Sequence, residues 1–391
     1  MSISRPLKIG IDGRGILKTI DGITRYSLNL IRSLSEIDTT NKYFIFKNSW
    51  RKRKIVDARN FQEIEVDFPH LSMKSLFHFP FLIKHFNLDI FHSPFFIAPL
   101  WNVNNLIITV HDLMALTFPN FFGGRSYIKE KGAYWYHRTF VPLSIKKAKR
   151  IIAVSQNTKM DLINHLHIDP KKISVIYEAV DEQFKKNHTV IELEKFKRDK
   201  GLPANYLLYA GTMKPYKNIQ LIISALKILK QKGELKYKLL IAGRKDRFFP
   251  TVYKEVKDRN LVDDVDFLDY VSDDELPLII KCADIFIFPS LYEGFGLPAL
   301  EAMSLGVPTI VSNTSSLPEV VGDGAMIVDP HDPQDLSQAV VSLLKDGDLR
   351  KKLSQKGIER SKAFSWRKTA KETLNIYLDV YNGQLPKSLI Q

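Results

Sequence analysis

The chain lacks the features that mark several classes of protein. Its 391 residues include one cysteine, Cys282, so no internal disulfide can form and we expect a reducing compartment. The most apolar stretch, residues 77–100, is interrupted by charged and histidine side chains and falls short of the roughly 18 apolar residues that a membrane-spanning helix needs. The first residues lead into a strand-like pattern rather than an apolar segment with a cleavage site. These absences predict a cytoplasmic protein without a secretion signal.

Motifs for several common chemistries are also missing. The chain contains neither a phosphate loop ending in Gly-Lys-Ser/Thr nor a Gly-x-Ser-x-Gly elbow, which argues against an ATPase and a serine hydrolase. Asp264 and Asp266 form an Asp-x-Asp pair, but they lie in a strand-like segment with no second group of oxygen ligands nearby in the sequence. We therefore expect no metal site and no resident cofactor.

The positive charge of the chain is concentrated in its first half. Lys and Arg number 57 against 43 Asp and Glu, a formal net charge of +14. Residues 1–190 hold 28 of these basic and 16 of these acidic residues, a net of +12, with runs at residues 51–54 and 146–150. Such runs are often only solvated surface. The asymmetry indicates an anionic partner, for which nucleic acid, a membrane surface and a phosphorylated substrate all remain open.

Strand-like and helix-length segments alternate along two halves of the chain, as in parallel α/β proteins. The strand-like runs lie at residues 7–11, 43–46, 90–92, 106–110, 150–154 and 173–176, and then at 206–210, 239–242, 265–268, 285–289, 309–312 and 326–328. One hydrophobic core rarely exceeds roughly 250 to 300 residues, so two domains are expected. We predict an N-terminal Rossmann-like domain (1–182), a linker (183–204), a C-terminal Rossmann-like domain (205–365) and a C-terminal helix (366–391) that packs back on the first domain.

The most informative segment is residues 290–303, SLYEGFGLPALEAM, which follows an apolar strand-like run. Gly294 and Gly296 let the backbone approach a ligand closely, and Pro298 suits the first position of a short helix. The amides of Phe295, Gly296, Leu297 and Ala299, with the positive end of that helix, would form an anion site suited to a diphosphate.

Two glutamates flank this predicted anion site. Glu301, expected in the first turn of the helix, can accept the two vicinal hydroxyls of a ribose. Glu293, on the loop, can accept hydroxyls of a sugar on the far side of the phosphates. Alternatively, Glu293 is a solvated charge on a loop and Glu301 a charge near the end of a helix, and composition alone would favour this interpretation. With the glycines, the proline and the strand, the arrangement indicates nucleotide-sugar recognition.

The segment resembles the signature of GT-B glycosyltransferases of family 4, a Glu, seven residues and a second Glu after a strand that ends in Phe-Pro. The resemblance covers essentially the whole chain and extends to bacterial mannosyltransferases of polysaccharide and O-antigen synthesis. It implies two doubly wound parallel sheets facing a cleft, with the acceptor bound by the domain at 1–182 and the nucleotide sugar by the domain at 205–365. It also implies retaining, metal-independent transfer of a hexose to a glycan hydroxyl. The first candidate for the donor is GDP-mannose and the second is a UDP-hexose. The expected acceptor is a lipid-linked glycan.

The resemblance also assigns roles in the second half. Residues 209–218 resemble the segment in which a lysine before a helix contacts the donor phosphates, here Lys217. Thr212 stands where many relatives have arginine after the glycine, so in this donor loop Lys217 carries more of the charge compensation. Arg244 is a candidate second cation, with an ordinary surface arginine as an equal alternative. Tyr270 lies in a segment that resembles the one meeting the nucleotide base.

In the first half, residues 110–113 (VHDL) resemble the element whose histidine lies against the transferred sugar, here His111, and Asp112 is expected to anchor that loop. A histidine satisfied within the core is the alternative. Residues 21–26 (DGITRY) resemble a Gly-Ile-Gly-Arg-Tyr loop, with Thr24 in place of the second glycine. This loop, with Gly22, would face the acceptor and the donor phosphate.

Two other functions remain as alternatives. A nucleotide-sugar epimerase of the same fold would need no acceptor. A non-enzymatic protein that binds nucleic acid or an anionic surface would explain the charge, but the phosphate-binding motif lies in the nearly neutral half. We expect no nucleic acid partner, and we expect the basic half to sit on anionic lipids at the cytoplasmic face of the membrane.

Overall fold

The chain folds into two compact units, which the computed structural model describes for residues 5–17, 21–117 and 127–384, with the side chains of 117 and 127–134 not included. One unit comprises Met1–Glu178 together with Ser365–Gln391, and the other comprises Ala179–Phe364.

The first unit contains a seven-stranded sheet whose pairings are all parallel. Its strands are β1 (Lys8–Asp12), β2 (Lys42–Asn48), β3 (Phe61–Val66), β4 (Ile90–Ser93), β5 (Leu106–Val110), β6 (Arg150–Ala153) and β7 (Ile173–Val175). The order is β3-β2-β1-β4-β5-β6-β7, so the direction of winding reverses beside β1. Strands β4 and β5 are buried throughout, as expected where helices cover both faces of a parallel sheet.

Seven α-helices belong to the described part of the first unit. They are α1 (Gly22–Ile37), α2 (Met73–Phe77), α3 (Phe79–Lys84), α4 (Met114–Thr117), α5 (Tyr127–Lys147), α6 (Gln156–Leu166) and, from the end of the chain, α15 (Trp366–Tyr381). Asp21 caps α1 by accepting from the Thr24 amide at 2.8 Å. Helix α15 begins at Trp366 and ends at Tyr381, within the predicted segment 366–391, and it packs against α1.

The second unit contains a six-stranded sheet, again with parallel pairings throughout. Its strands are β8 (Tyr206–Ala210), β9 (Lys238–Ala242), β10 (Val265–Asp269), β11 (Ile285–Phe288), β12 (Thr309–Ser312) and β13 (Met326–Val328). The order is β10-β9-β8-β11-β12-β13, which places the reversal between β8 and β11. Ligands of such sheets bind beyond the carboxyl ends of the strands at this reversal.

The helices of the second unit are α7 (Val190–Asp199), α8 (Ile219–Gln231), α9 (Phe249–Asp258), α10 (Leu276–Lys281), α11 (Leu297–Ser304), α12 (Leu317–Val321), α13 (Pro333–Lys345) and α14 (Gly347–Lys362). Helix α7 lies inside the stretch expected as a linker, and the second unit begins at Ala179. A capping box between Thr189 and Glu192 starts this helix, and none of its residues is buried. Because α7 lies on the surface, its sequence is charged and lacks a clear apolar face, and we therefore predicted a linker there.

The fold class predicted from the sequence, α/β with two Rossmann-like parallel sheets, is confirmed. Strand β3 is the strand that the sequence pattern did not predict. It is an edge strand, and Gln62, Glu63 and Glu65 leave most of it only partly buried, so it has no continuous apolar run. Among the described residues, no helix combines the length and the apolar character needed to cross a bilayer.

Candidate functional site

The candidate donor site lies at the carboxyl ends of β8, β9 and β11, next to the start of α11. Gly211 follows β8 and Gly243 follows β9. A Cβ atom on Gly243 would lie 2.0 Å from the carbonyl oxygen of Gly211, so the two backbones approach too closely for any side chain there. This contact brings the loops after two neighbouring strands together.

Lys217 and Glu293 meet in this site. Lys217 ends a short 3-10 helix, Pro215–Lys217, before α8, and Glu293 lies on the loop between β11 and α11. The Lys217 Nζ lies 2.6 Å from the Glu293 Oε1, and the two side chains are 12% and 11% exposed. The ammonium group also lies 4.9 Å from the centre of the Phe288 ring. The structure thus brings together two residues that the sequence predicted separately.

Two serines hold the Glu293 loop in place. The Glu293 amide donates to the Ser315 Oγ at 3.0 Å, and the Ser316 Oγ donates to the carbonyls of Glu293 and Phe295 at 3.0 and 2.9 Å. Ser315 adopts a left-handed backbone with φ of +58°. Sequence reasoning missed both serines, although a Ser-Ser pair before the Leu-Pro start of α12 is a recognisable turn signal.

Asn218 is a third residue that sequence reasoning missed. Its backbone is left-handed, with φ of +57°, and it separates the 3-10 helix that carries Lys217 from α8. Its side-chain Nδ2 donates to the carbonyls of Pro289 at 3.2 Å and of Pro330 at 2.8 Å. Asn218 therefore ties the lysine segment to the loops after β11 and β13.

Gly296 starts α11 in a conformation that other residues rarely adopt. Its φ is +103°, and a Cβ atom there would lie 2.6 Å from the Leu317 Cδ2. The Ala299 amide donates to the Gly296 carbonyl at 3.1 Å, so the expectation that this amide is available to an anion is wrong. The amides of Gly296 and Leu297 donate to no residue in the described ranges, and they remain suited to an anion.

The expected position of Glu301 in the first turn of α11 is also wrong. The left-handed Gly296 makes Leu297 the first helical residue, which places Pro298 second and Glu301 in the second turn. Glu301 is 5% exposed. At this depth a carboxylate gains less from the positive end of the helix, because that effect falls off within the first turn.

The other predicted donor residues lie along the loops after β8, β9 and β10. Thr212 is exposed, and its carbonyl accepts from the Tyr209 hydroxyl at 2.7 Å. Burial, and then the charge of Glu293, raises the pKa of Tyr209 well above its ordinary value, so this hydroxyl stays a donor. Arg244 is exposed, with its guanidinium 5.3 Å from the centre of the Tyr270 ring. Arg244 and Tyr270 therefore form one surface cluster.

In the first unit, His111 is buried directly after β5. Its Nδ1 lies 2.7 Å from the Glu178 Oε1, and its Nε2 lies 3.2 Å from the Pro94 carbonyl oxygen. Burial lowers the pKa of His111, but the hydrogen bond to Glu178 and its negative charge outweigh burial, so the net pKa is raised. Asp112 accepts from the Met114 amide at 2.9 Å and so stabilises this loop, as expected.

A second buried histidine, His92, lies on the neighbouring strand β4. Its Nδ1 lies 2.7 Å from the Tyr377 hydroxyl on α15, and its Nε2 lies 2.9 Å from the Thr109 Oγ1. Thr109 also contacts the Tyr26 hydroxyl at 3.0 Å. Burial, with a smaller contribution from His111, lowers the pKa of His92 to about 3. His92 is therefore neutral at physiological pH.

Residues 22–26, expected on a loop, form the start of helix α1 instead, with Asp21 as the N-cap. A Cβ atom on Gly22, the first residue of α1, would meet no atom of the described residues within 4 Å. Thr24, which stands where the related loop has glycine, is fully buried, and its Oγ1 accepts from the Leu17 amide at 3.1 Å. The Thr24 side chain therefore holds the segment that precedes α1 against the start of the helix.

The two carboxylates of the Asp-x-Asp pair, Asp264 and Asp266, each form an ion pair with a lysine. Asp264 contacts Lys230 at 2.6 Å, and Asp266 on β10 contacts Lys238 at 3.2 Å. In the part of the chain that the structure describes, no three His, Cys, Asp or Glu side chains gather in a group that could hold a metal ion. Metal independence stays a prediction.

Family models match both units. Residues 20–184 match the model described as Glycosyltransferase Family 4, and residues 190–360 match the model described as Glycosyl transferases group 1. The chain is 31% identical over 262 residues to the O-antigen chain mannosyltransferase RfbU of Salmonella typhimurium strain LT2, covering 67% of each protein. The chain therefore belongs to the family 4 (group 1) glycosyltransferases. Over 373 residues, the glycosyltransferase is also 28% identical to O-antigen chain mannosyltransferase B of Escherichia coli, covering 92% of this chain and 96% of that protein.

A solved structure of a glycosyltransferase from Rickettsia africae ESF-5 superimposes with a TM-score of 0.72 at 20% identity, covering 97% of this chain and 99% of that one. At this identity the likeness concerns the fold alone. It confirms the GT-B fold class predicted from the sequence.

Proposed function

We propose that this glycosyltransferase moves a hexose from a nucleotide diphosphate sugar to a hydroxyl of a glycan, with retention at the anomeric carbon and without a metal ion. The observation that carries the proposal is the Lys217–Glu293 pair, with its 2.6 Å contact, beside the start of α11. It supplies one cation for a diphosphate and one carboxylate for sugar hydroxyls within a single site.

In the proposed reaction the bond between the anomeric carbon and the diphosphate oxygen breaks, and a bond from that carbon to the acceptor oxygen forms on the same face. The acceptor proton passes to the leaving diphosphate, so no external base is needed. Lys217 and the backbone amides of Gly296 and Leu297 stabilise the charge that develops on the diphosphate. Because phosphate oxygens compete with Glu293 for the ammonium group, donor binding leaves the Glu293 carboxylate for the sugar hydroxyls.

The remaining predicted residues keep their proposed roles around this core. Glu301 accepts the ribose hydroxyls, Arg244 supplies a second cation, Tyr270 lies at the nucleotide base, and Thr212 belongs to the donor loop. For the first unit, the proposal keeps His111 and Gly22 as residues that contact the substrates.

We propose GDP-mannose as the donor and a UDP-hexose as the second choice, because the two relatives described above are named mannosyltransferases. Both are also named for the O-antigen chain, which supports a lipid-linked glycan acceptor and a role in cell-surface polysaccharide synthesis.

A donor screen tests this proposal. The protein is incubated with GDP-mannose and UDP-hexoses, with and without an extract of lipid-linked oligosaccharides, in buffer with EDTA. We expect acceptor-dependent release of GDP, a glycan heavier by one hexose, and a product with the anomeric configuration of the donor by NMR. A changed nucleotide sugar without acceptor would indicate an epimerase instead, and loss of turnover in EDTA would contradict metal independence.

We also propose that the first unit binds an anionic membrane surface at the cytoplasmic face. The net charge of +12 over residues 1–190, most of which belong to this unit, supports this proposal. Four large apolar side chains around α2 and α3 are exposed, namely Leu71, Met73, Phe77 and Phe81. Exposed apolar side chains near basic residues are typical of proteins that bind membrane interfaces.

A further inference from the structure

His111 is held by a carboxylate that lies 67 positions away in the sequence. We propose that Glu178 is a positioning residue, whose carboxylate fixes the orientation of the His111 ring and keeps the Nε2 atom a hydrogen-bond donor toward the substrate. The inference rests on the proposed function in one respect, that His111 contacts the transferred sugar. The contact between Glu178 and His111 does not depend on that function.

The protonation of the ring follows from the partners of its two nitrogens. The Nδ1 atom lies 2.7 Å from a carboxylate oxygen, and both side chains are buried, at 9% and 5% exposed. The Nε2 atom lies 3.2 Å from the Pro94 carbonyl oxygen, which can only accept a hydrogen bond. Two acceptors therefore face the ring, and a ring that donates to both is an imidazolium.

The groups around His111 agree with this assignment. The negative charges of Glu178 and Asp112 favour the protonated ring. His92, on the adjacent strand, is neutral because burial holds its pKa at about 3. The ring of Tyr26, on α1, lies edge-on to the His111 ring, with 4.7 Å between the two ring centres. Burial raises the pKa of the Tyr26 hydroxyl, so this group carries no charge either. Glu178 is therefore the group that balances the imidazolium at hydrogen-bond distance.

This balance matters for a sugar-transfer reaction, in which positive charge develops at the anomeric carbon. An unpaired imidazolium near that carbon would oppose the charge, whereas a ring paired with Glu178 presents an N–H donor with little net charge. The 3.2 Å contact of Nε2 is longer than the 2.7 Å contact of Nδ1. A sugar hydroxyl can therefore replace the Pro94 carbonyl while Glu178 still holds the ring.

The direct test is an NMR titration of the histidine rings in the full-length protein, in which the His111 signal is assigned by its loss in His111→Gln. We expect Glu178→Gln to lower the pKa of His111 by about one to three pH units, as removal of an adjacent opposite charge does. Glu178→Asp keeps the charge at a longer distance and should give an intermediate shift. Should the Gln variant not fold, the Asp variant must still show a shift in the same direction.

Kinetics supply the second readout. In Glu178→Gln we expect a fall in kcat that is larger than any change in KM, together with a displaced pH profile, and partial recovery in Glu178→Asp. The double variant with His111→Gln should be no slower than His111→Gln alone, because Glu178 acts through the histidine.

Asp38→Asn is the matched control. Asp38 is a buried carboxylate in the same unit that accepts from the Tyr43 hydroxyl at 2.6 Å. Its loss should lower thermal stability without moving the pKa of His111 or the pH profile.

An unchanged His111 titration in a folded Glu178 variant would overturn the proposal, and so would independent, multiplying losses of activity in the double variant. If the wild type turned over no donor at all, the proposed function would fail. The NMR titration would still decide whether Glu178 controls His111.

Discussion

At the scale of single residues, the Lys217–Glu293 pair is the most consequential contact, since its members are 76 positions apart and both lie largely buried. A buried pair of this kind has lost most of its contact with water, and its ammonium group lies close to where phosphate oxygens are proposed to bind. Charged groups fixed in such a site stabilise developing charge more strongly than they do in water.

Replacing Lys217 by alanine should lower kcat/KM for sugar transfer by about 10²- to 10³-fold, the usual loss when one electrostatic stabiliser of a transition state is removed. Lys217→Arg should recover part of that loss. Lys230→Ala is the control, because Lys230 forms a similar 2.6 Å ion pair with Asp264 but is 41% exposed; it should stay within about threefold of wild type. The roles assigned here would be wrong if Lys217→Ala and Glu293→Ala each kept kcat/KM within about threefold of wild type.

The buried histidines give a second prediction at this scale. The pKa of His92 falls from 6.5 to about 3 on folding, so the unfolded state binds the extra proton below pH 6.5. The stability linked to His92 is full above pH 6.5 and is lost toward pH 3, at a slope of up to ~1.4 kcal/mol per pH unit. His111 has a raised pKa, so its contribution is full below pH 6.5 and lost as the pH rises.

Urea unfolding between pH 4 and 7 would measure this dependence. In His92→Gln the free energy of unfolding should fall less steeply with decreasing pH than in wild type. His165→Gln is the control, because His165 is 52% exposed. Equal slopes in wild type and His92→Gln would show that His92 does not resist protonation.

At the scale of elements, the start of α11 decides the shape of the anion site. The left-handed Gly296 turns the chain so that the amides of Gly296 and Leu297 begin the helix, and it packs against α12 through Leu317. The sequence indicated a close backbone approach at Gly296 and a short helix after it. It did not predict that the helix begins at Leu297, and this shift of one residue moves Glu301 out of the first turn.

Gly296→Ala should destabilise the second unit by about 1 to 3 kcal/mol, because a Cβ atom combines an unfavourable backbone conformation with a clash against Leu317. The matched control is Gly347→Ala at the first position of α14, where the nearest atom would lie 3.9 Å away. Thermal unfolding should show a lower midpoint only for Gly296→Ala. An equal midpoint in both variants would mean that the loop rearranges without cost.

At the scale of the whole molecule, the distribution of charge distinguishes the two halves of the chain. The run at residues 51–54 is largely exposed, and its partners Glu65 and Asp57 compensate only Lys52 and Lys54. The run at residues 146–150 is less uniform, because Arg150 is buried and donates to the backbone carbonyls of Lys171 and Gln384. The first of the two runs is therefore the better candidate for lipid headgroups.

Replacing Lys52, Arg53 and Lys54 together by glutamate should reduce binding to anionic vesicles at low salt by at least about tenfold, since each basic residue near such a surface contributes ~1 kcal/mol. A control with three exposed lysines of the second unit changed to glutamate, Lys232, Lys351 and Lys352, should bind like wild type. Sedimentation with vesicles at about 0.05 and 1 M salt measures both effects, because salt screens the attraction. Wild-type protein that stays in the supernatant at low salt would refute the proposal.

The sequence by itself determined the α/β class, the strand runs other than β3, the start of α15 and the segment around Glu293, because these depend on apolar spacing and on residues within one loop. Tertiary structure decided which distant residues meet. Lys217 reaches Glu293 because β8 and β11 are neighbours in the sheet, and Glu178 reaches His111 because the chain after β7 returns to the loop after β5. The order of strands and the left-handed residues at loop ends set those distances, and neither is written in the local spacing of side chains.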